Sequence, residues 1–481
     1  MRITLRAVLA ATALTCLTSP TMALSTSDGA QDSVAQPTQS GTLWTNANRD
    51  TLKRELADRA RHGLDRITFL PADADQGSEA RAEKIYNRAA LDYARALAVG
   101  VVDPSALHDV YTVTRPTVEL AEHLRNALRD GRLAQWLDGL APGDNEYKLL
   151  SEAYLTASRD TAERVSTIVP GESIHVGDVT PRVPMIVRQL VDDGYLAERS
   201  EGVSADLYSQ EIADAVKALQ RDYGIKADGI VGSDTLGVLT LGPGDRARTF
   251  AVGLERRRWL SRTPPATRID VNTAAAELRY FRDGRLVNRR RVIVGEPDRE
   301  TPALGSPIYR LVANPTWTVP KSIAVSSATV RAKNMRRING YWVQPSGPDN
   351  ALGLVKFDMK NNQAIYLHDT AAPELFARSQ RHLSHGCVRV QDALGFAAML
   401  AEQEGVGEAW AKAHASGNYE IADLPREIPV RLLYHNAFVA DDGQVSIRTD
   451  PYGWNDAVAT KLGFADANTR HAKAEAIDIG P

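Results

Sequence analysis

The sequence predicts a multidomain α+β protein: a helical scaffold, a small three-helix module and a β-rich domain. Three observations carry that expectation. At 481 residues the chain is too long for one compact core. Its first half is rich in Ala, Leu, Arg and Glu, with apolar residues three and four positions apart. From Arg268 onward, apolar and polar residues alternate in short runs between glycine-containing turns. Hydrophobic residues at 43% and charged residues at 24% are ordinary for a folded chain, so packed cores are expected. The net charge of −3, without a long Lys/Arg run, gives no footprint for nucleic acid and no polybasic membrane patch.

Taken in order, residues 1–23 read as a secretory signal peptide. Arg2 and Arg6 precede the apolar run 7–17, and Thr21-Met22-Ala23 offers a cleavage site after Ala23. The run is too short to span a membrane, which needs roughly 20 apolar residues. Leu14-Thr15 is a poor match to the lipid-attachment motif that Cys16 would require. Residues 24–45 are polar and small and read as a flexible leader. Residues 46–170 form the expected helical scaffold, with helices over 82–101 and 118–137 and breaks at Pro104 and Pro142-Gly143. The module spans 171–243 and ends in a plain linker, Gly242-Pro243-Gly244. The β-rich domain follows over 250–440. Its strands include 287–294, 355–358, 364–367 and 430–439, Asp283-Gly284 makes a hairpin turn, and 392–404 is a helix. Residues 441–481 form a C-terminal extension, partly disordered, with a last strand at 445–447.

The chemistry concentrates in Ser384-His385-Gly386-Cys387-Val388-Arg389. Cleavage after Ala23 removes Cys16, one of only two cysteines, and leaves Cys387 alone in an oxidising compartment. A buried inert thiol is the plain reading of a lone cysteine. The flanking histidine and glycine favour a nucleophile instead. A free thiol has a pKa of about 8.5, so it needs a base to react near neutrality. Two histidines compete to be that base. His385 is two positions away, and His368 stands at the end of a strand-like run. Gly386 suggests a bend and removes a side chain where a carbonyl must approach backbone N–H groups.

Within the module, Gln220 and the run Asp228-Gly229-Ile230-Val231-Gly232 resemble the small three-helix peptidoglycan-binding domain, which would tether the protein to a polymer. Tyr366-Leu367-His368-Asp369-Thr370 and Ser384-His385-Gly386-Cys387-Val388-Arg389 resemble the motifs of the L,D-transpeptidases. Asn314-Pro315-Thr316-Trp317 and Gly347-Pro348-Asp349-Asn350-Ala351-Leu352-Gly353 resemble those of their large multidomain Gram-negative branch. The four motifs lie in the family's order, and the resemblance runs over about 251–452. It implies Cys387 as nucleophile and His368 as base, oriented by the backbone carbonyl of Asp369, with His385 shaping the pocket. It also implies that Gly386 and Cys387 present N–H groups to the oxyanion. Tyr366 either adds its hydroxyl there or packs in the core.

Ser384, Arg389 and Trp317 are the substrate-binding candidates, each with a packing alternative: Ser384 fixes the loop, Arg389 holds it, and Trp317 fills the core. Arg331, Lys333, Arg336 and Arg337 read as a solvated helix face or as a lid that greets acidic stem peptides.

The resemblance further implies a periplasmic enzyme forming 3→3 cross-links between peptidoglycan stem peptides through a cysteine thioester, inhibited by carbapenem β-lactams. The same thioester passed to water, another amine or a lipoprotein lysine makes a carboxypeptidase, an endopeptidase or an anchoring enzyme. A non-catalytic wall-binding scaffold is the alternative of a different class. A zinc site from His368, His382, His385 and Cys387 is disfavoured by Arg389 alongside, so no metal and no other cofactor is expected.

Overall fold

The computed structural model describes residues 42–159, 168, 171–197, 205–241, 243–321, 323, 325–440 and 442–464. The signal peptide and most of the polar leader lie outside the described residues, as do 465–481. Among the described residues, no helix is long and apolar enough to cross a membrane. The architecture is mixed α+β.

The scaffold is built from α1 (Asn46–Ala57), α2 (Glu79–Val99), α3 (Leu120–Arg129), α4 (Leu133–Asp138) and α5 (Asn145–Arg159). Thr45 and Ser78 cap α1 and α2 with their hydroxyls, which satisfies backbone N–H groups that a helix start leaves open. The expected helix over 118–137 is two helices, because Gly131 adopts a left-handed φ of 64° between them. The leader ends earlier than expected: Trp44 is 2% exposed and packs 5.5 Å from Tyr86, so an aromatic anchor begins the scaffold before residue 46.

The module holds α6 (Val183–Asp192), α7 (Gln210–Asp222) and α8 (Ser233–Leu239) around its own apolar cluster. Gln220 explains the Asp-Gly-Ile-Val-Gly run. Its buried amide donates to the Ile230 carbonyl at 3.0 Å and to Thr235 Oγ1 at 2.9 Å, and accepts from the Gly229 N–H at 2.8 Å. Buried polar groups hold a fold only when satisfied in this way.

Of the linker expected at Gly242-Pro243-Gly244, Pro243 and Gly244 instead start α9 (Pro243–Arg258), and Gly242 lies outside the described residues. Proline is preorganised for the first helical turn, where its missing N–H costs nothing. Ala247, Ala251 and Leu254 bury into the scaffold core beside α5. The boundary expected near residue 250 therefore falls inside a scaffold helix.

The strands are β1 (Arg268–Asn272), β2 (Glu277–Arg282), β3 (Arg285–Gly295), β4 (Ile308–Ala313), β5 (Trp317–Thr318), β6 (Arg336–Ile338), β7 (Tyr341–Gln344), β8 (Val355–Met359), β9 (Leu367–His368), β10 (His382–Ser384), β11 (Val388–Val390), β12 (Glu420–Ile428), β13 (Val430–Leu433), β14 (Ala437–Val439) and β15 (Val445–Ile447). The main sheet runs β12-β4-β8-β9-β11-β3-β2-β1-β13, with β10 alongside β3. Asp283 and Gly284 both have positive φ and turn β2 into β3, as a two-residue hairpin requires. The two ends of the sheet, β12 and β13, are separated in sequence by Pro429 alone, so the sheet curls round on itself. The helix expected over 392–404 is α11 (Ala393–Gln403); it and α12 (Gly407–Ala415) fill the curl, with Phe396 and Leu400 fully buried.

A small second sheet, β5-β7-β6, and the short α10 (Ser327–Ala332) form a flap with its own core. The basic stretch is therefore not one helix face. Arg331 ends α10, and Arg336 and Arg337 stand exposed on β6.

As far as it is described, to residue 464, the C-terminal extension packs into the fold. Helix α13 (Asn455–Lys461) buries Val458 and Ala459, with Leu462 just beyond it, in the scaffold core against α9.

Candidate active site

Strand register assembles the site. β9 lies parallel to β11, with Leu367 beside Val388 and His368 beside Arg389. On the other side of β9, Lys356 of β8 sits opposite His368, and Arg389 faces Ile293 of β3. Side chains alternate across a sheet. Leu367, Val388 and Val390 thus enter the apolar core, while Lys356, His368 and Arg389 form a row on the opposite face. Tyr366 and Cys387 precede the two paired strands on that same face.

Cys387 is 7% exposed, at the margin of the apolar cluster, and its thiol donates to the Ala364 carbonyl at 3.6 Å. Burial pushes the thiol above its ordinary pKa of 9.0, against the pull of hydrogen bonds from Tyr366 and the charges of Lys356 and Arg389. The Tyr366 hydroxyl is raised too, by burial first and then by Cys387. Its ring meets the His368 ring at 5.6 Å, near edge-on, and Lys356 Nζ lies 4.4 Å from its centroid.

His368 is fully buried. Burial, then Arg389 and Lys356, hold its pKa down to about 3, although the backbone of Asp369 favours the protonated ring. Neither ring nitrogen closes a hydrogen bond of normal geometry. The resting pair is therefore a neutral imidazole and a neutral thiol, not a preformed ion pair. Alkylation of Cys387 by a haloacetamide should keep accelerating as pH rises past 9.0, with no step near 6.5. A rate already at its plateau by about pH 7 would count against a neutral pair.

The Asp369 carboxylate faces away from the histidine. It accepts from the Leu354 N–H at 2.9 Å, and burial raises its pKa. Gly353 makes room for it: a Cβ there would stand 2.4 Å from the carboxylate. His385 is half-buried on the loop and outside the row. Gly386 adopts a φ of 112°, which favours glycine.

One sequence-based reading changes, and for three residues the geometry favours the packing alternative. Gly386 does not offer a free N–H, because that group donates to Ser384 Oγ at 3.2 Å. Ser384 is fully buried, and its hydroxyl donates to the Cys387 carbonyl at 2.6 Å, so it fixes the loop. Arg389, 1% exposed, is enclosed within the sheet and acts on His368 through its charge. Trp317 belongs to the flap core with Val319, Met335 and Leu352, against which Tyr366 packs.

Sequence reasoning missed Lys356, Ala364 and Thr301. The Thr301 hydroxyl donates to the Gly386 carbonyl at 2.8 Å. None of the three lies in a motif: strand pairing reveals Lys356, and hydrogen bonds to the nucleophile loop reveal Ala364 and Thr301. Elsewhere, a cavity of about 560 Å³ opens between the scaffold and β1, β2 and β13; no residue of the nucleophile loop lines it. Among the described residues, no group of three or more His, Cys, Asp and Glu side chains could hold a metal ion.

Residues 266–407 match the L,D-transpeptidase catalytic domain family (YkuD). Residues 180–239 match a family described as "Putative peptidoglycan binding domain", and 36–153 a scaffold domain. Residues 266–407 are thus similar to L,D-transpeptidase catalytic domains and residues 180–239 to the peptidoglycan-binding family. A Haemophilus influenzae protein described as "Putative L,D-transpeptidase" is 31% identical over 221 residues, which is 39% of this chain and 44% of that protein. The match thus spans less than half of that relative. Among solved structures, an L,D-transpeptidase of Xylanimonas cellulosilytica is 17% identical, with a TM-score of 0.19, over 55% of this chain and 98% of that one. One from Stackebrandtia nassauensis is 15% identical, with a TM-score of 0.21, over 55% and 97%.

Proposed function

We propose that this chain is an exported, periplasmic peptidoglycan L,D-transpeptidase that forms 3→3 cross-links through a thioester on Cys387. The observation that carries the reading is the register of β9 against β11, which sets Tyr366 and His368 on the same face as Cys387.

In this reading the thiol attacks the carbonyl of the third residue of a tetrapeptide stem. His368, neutral at rest, takes the thiol proton as the C–S bond forms. The tetrahedral oxyanion is held by the Cys387 N–H and the Tyr366 hydroxyl. When the C–N bond breaks, the imidazolium returns the proton to the departing D-alanine amine. The side-chain amine of a second stem then attacks the thioester, His368 accepts its proton, and the thiol is regenerated. The buried, uncharged pair suits this sequence: charge separation arises only as the bond forms, where fixed dipoles meet it. A carbapenem, with its strained carbonyl, is expected to acylate the same sulfur.

The module's role is retention on the wall, supported by its family match at 180–239. Incubating the chain with disaccharide-tetrapeptide and weighing the products tests the reaction. A cross-linked dimer with released D-alanine is the expected result. Tripeptide alone would mean that water takes the thioester, and unchanged substrate would sink the proposal.

A further inference from the structure

We propose that Tyr452 is a positioning residue: through Thr301 it aims the Cys387 N–H at the oxyanion. This rests on the reading of Cys387 as nucleophile.

The geometry runs through one peptide unit. A peptide bond is planar and trans, so its carbonyl and the following N–H point in opposite directions. Fixing the Gly386 carbonyl therefore fixes the direction of the Cys387 N–H. Thr301, fully buried, does the fixing with a 2.8 Å hydrogen bond to that carbonyl. Its hydroxyl also accepts from the Gly295 N–H at 2.9 Å. Thr301 is held in turn by Tyr452. The Tyr452 hydroxyl donates to the Gly295 carbonyl at 2.7 Å and accepts from the Thr301 N–H at 3.3 Å. Both bonds of a phenol 8% exposed thus go to the two ends of the 295–301 loop.

The ring adds a second arm. It stands edge-on to His382 at 5.4 Å. His382 Nε2 meets the Thr273 carbonyl at 2.9 Å and lies two residues before Ser384, which holds the Cys387 carbonyl.

Tyr452 is itself anchored on the side away from the site. It stacks on Tyr434 at 5.0 Å, and its N–H donates to the Tyr434 hydroxyl at 3.1 Å. Tyr434 donates in turn to Asp450, whose carboxylate accepts from the Trp454 and Asn455 N–H groups at the start of α13. Arg256 of α9 donates to Asn436, Asn455 and the Trp454 carbonyl. Thr449 and Arg448 of the same segment bond the Tyr223 and Asp222 carbonyls of the module. The segment from Asn436 to Asn455 is thus a brace, fastened to scaffold and module, whose phenol sets the nucleophile loop.

The test separates aiming from folding. Tyr452→Phe and Thr301→Val each remove one hydroxyl and little volume. Each should slow carbapenem acylation of Cys387 by about tenfold or more, since a misplaced oxyanion donor costs that much. Haloacetamide alkylation, which forms no oxyanion, should keep its rate and pH profile in both variants. Thr301→Ser, which retains the hydroxyl, should restore acylation. The double variant should be little worse than either single one, because both act on one peptide. Acylation unchanged in Tyr452→Phe, or alkylation and acylation falling together, would overturn the proposal. Cys387→Ala serves as the separate control: full turnover in that variant removes the nucleophile itself, whereas an inactive Cys387→Ala beside an unaffected Tyr452→Phe removes only the aiming.

Discussion

Cys387→Ala should abolish cross-linking and D-alanine release while leaving retention on isolated sacculi unchanged. The alanine fits, since the sulfur sits at the margin of the apolar cluster and is bonded only by the Ala364 carbonyl and Tyr366. The fold should survive with a loss of about 1 kcal/mol or less, the scale of one weak hydrogen bond and a small deletion. Activity should fall by roughly three orders of magnitude or more, as when a covalent nucleophile is removed and only binding and the oxyanion donors remain. In the proposed function retention falls to the module, whose core is separate from the site. Product masses and sacculus pull-down, measured on one preparation, check both halves. Dimer formation by the variant would end the case for covalent catalysis at this position.

Glu255→Ala should be the most damaging single change to stability outside the site. Glu255 and Arg258 are both fully buried and paired at 2.6 Å. The carboxylate also accepts from the Val102 N–H at 2.8 Å and from Trp259 Nε1 at 3.1 Å. Removing it leaves a guanidinium in the scaffold core with only the His62 carbonyl and the Tyr147 hydroxyl as partners. Breaking one side of such a pair costs about 3–5 kcal/mol. Urea unfolding followed by tryptophan fluorescence should show the midpoint fall accordingly. A shift under about 1 kcal/mol would mean that water reaches Arg258.

The site was legible wherever chemistry is written in residue type. A lone cysteine beside a histidine and a glycine points to a nucleophile, but residue type left His385 and His368 competing as the base, and only the family resemblance favoured His368. Gln220 and Asp228-Gly229 pointed to the module through their resemblance to the peptidoglycan-binding domain; the bonds that bury the amide appear only in the structure. The unread parts depend on which strands become neighbours. Arg389 looked like a substrate ligand because arginines seek carboxylates; only its pairing with His368 shows that it is enclosed and acts on the base. The Gly386 N–H looked available for the oxyanion, yet it is bonded to Ser384 Oγ. Helix α9 was hidden because Gly242-Pro243-Gly244 reads as a linker, although proline also starts helices. Thr301 and Tyr452 carry no motif, and their meaning is set by a loop more than 80 residues from one and more than 60 from the other.

The scaffold, first in sequence, closes its core around Val458, Ala459 and Leu462, among the last residues described. Domains made early in synthesis usually fold as units before the rest appears. Here the scaffold core stays unfinished until α13 has been made. A product cut short ahead of α13 would leave part of that apolar core uncovered.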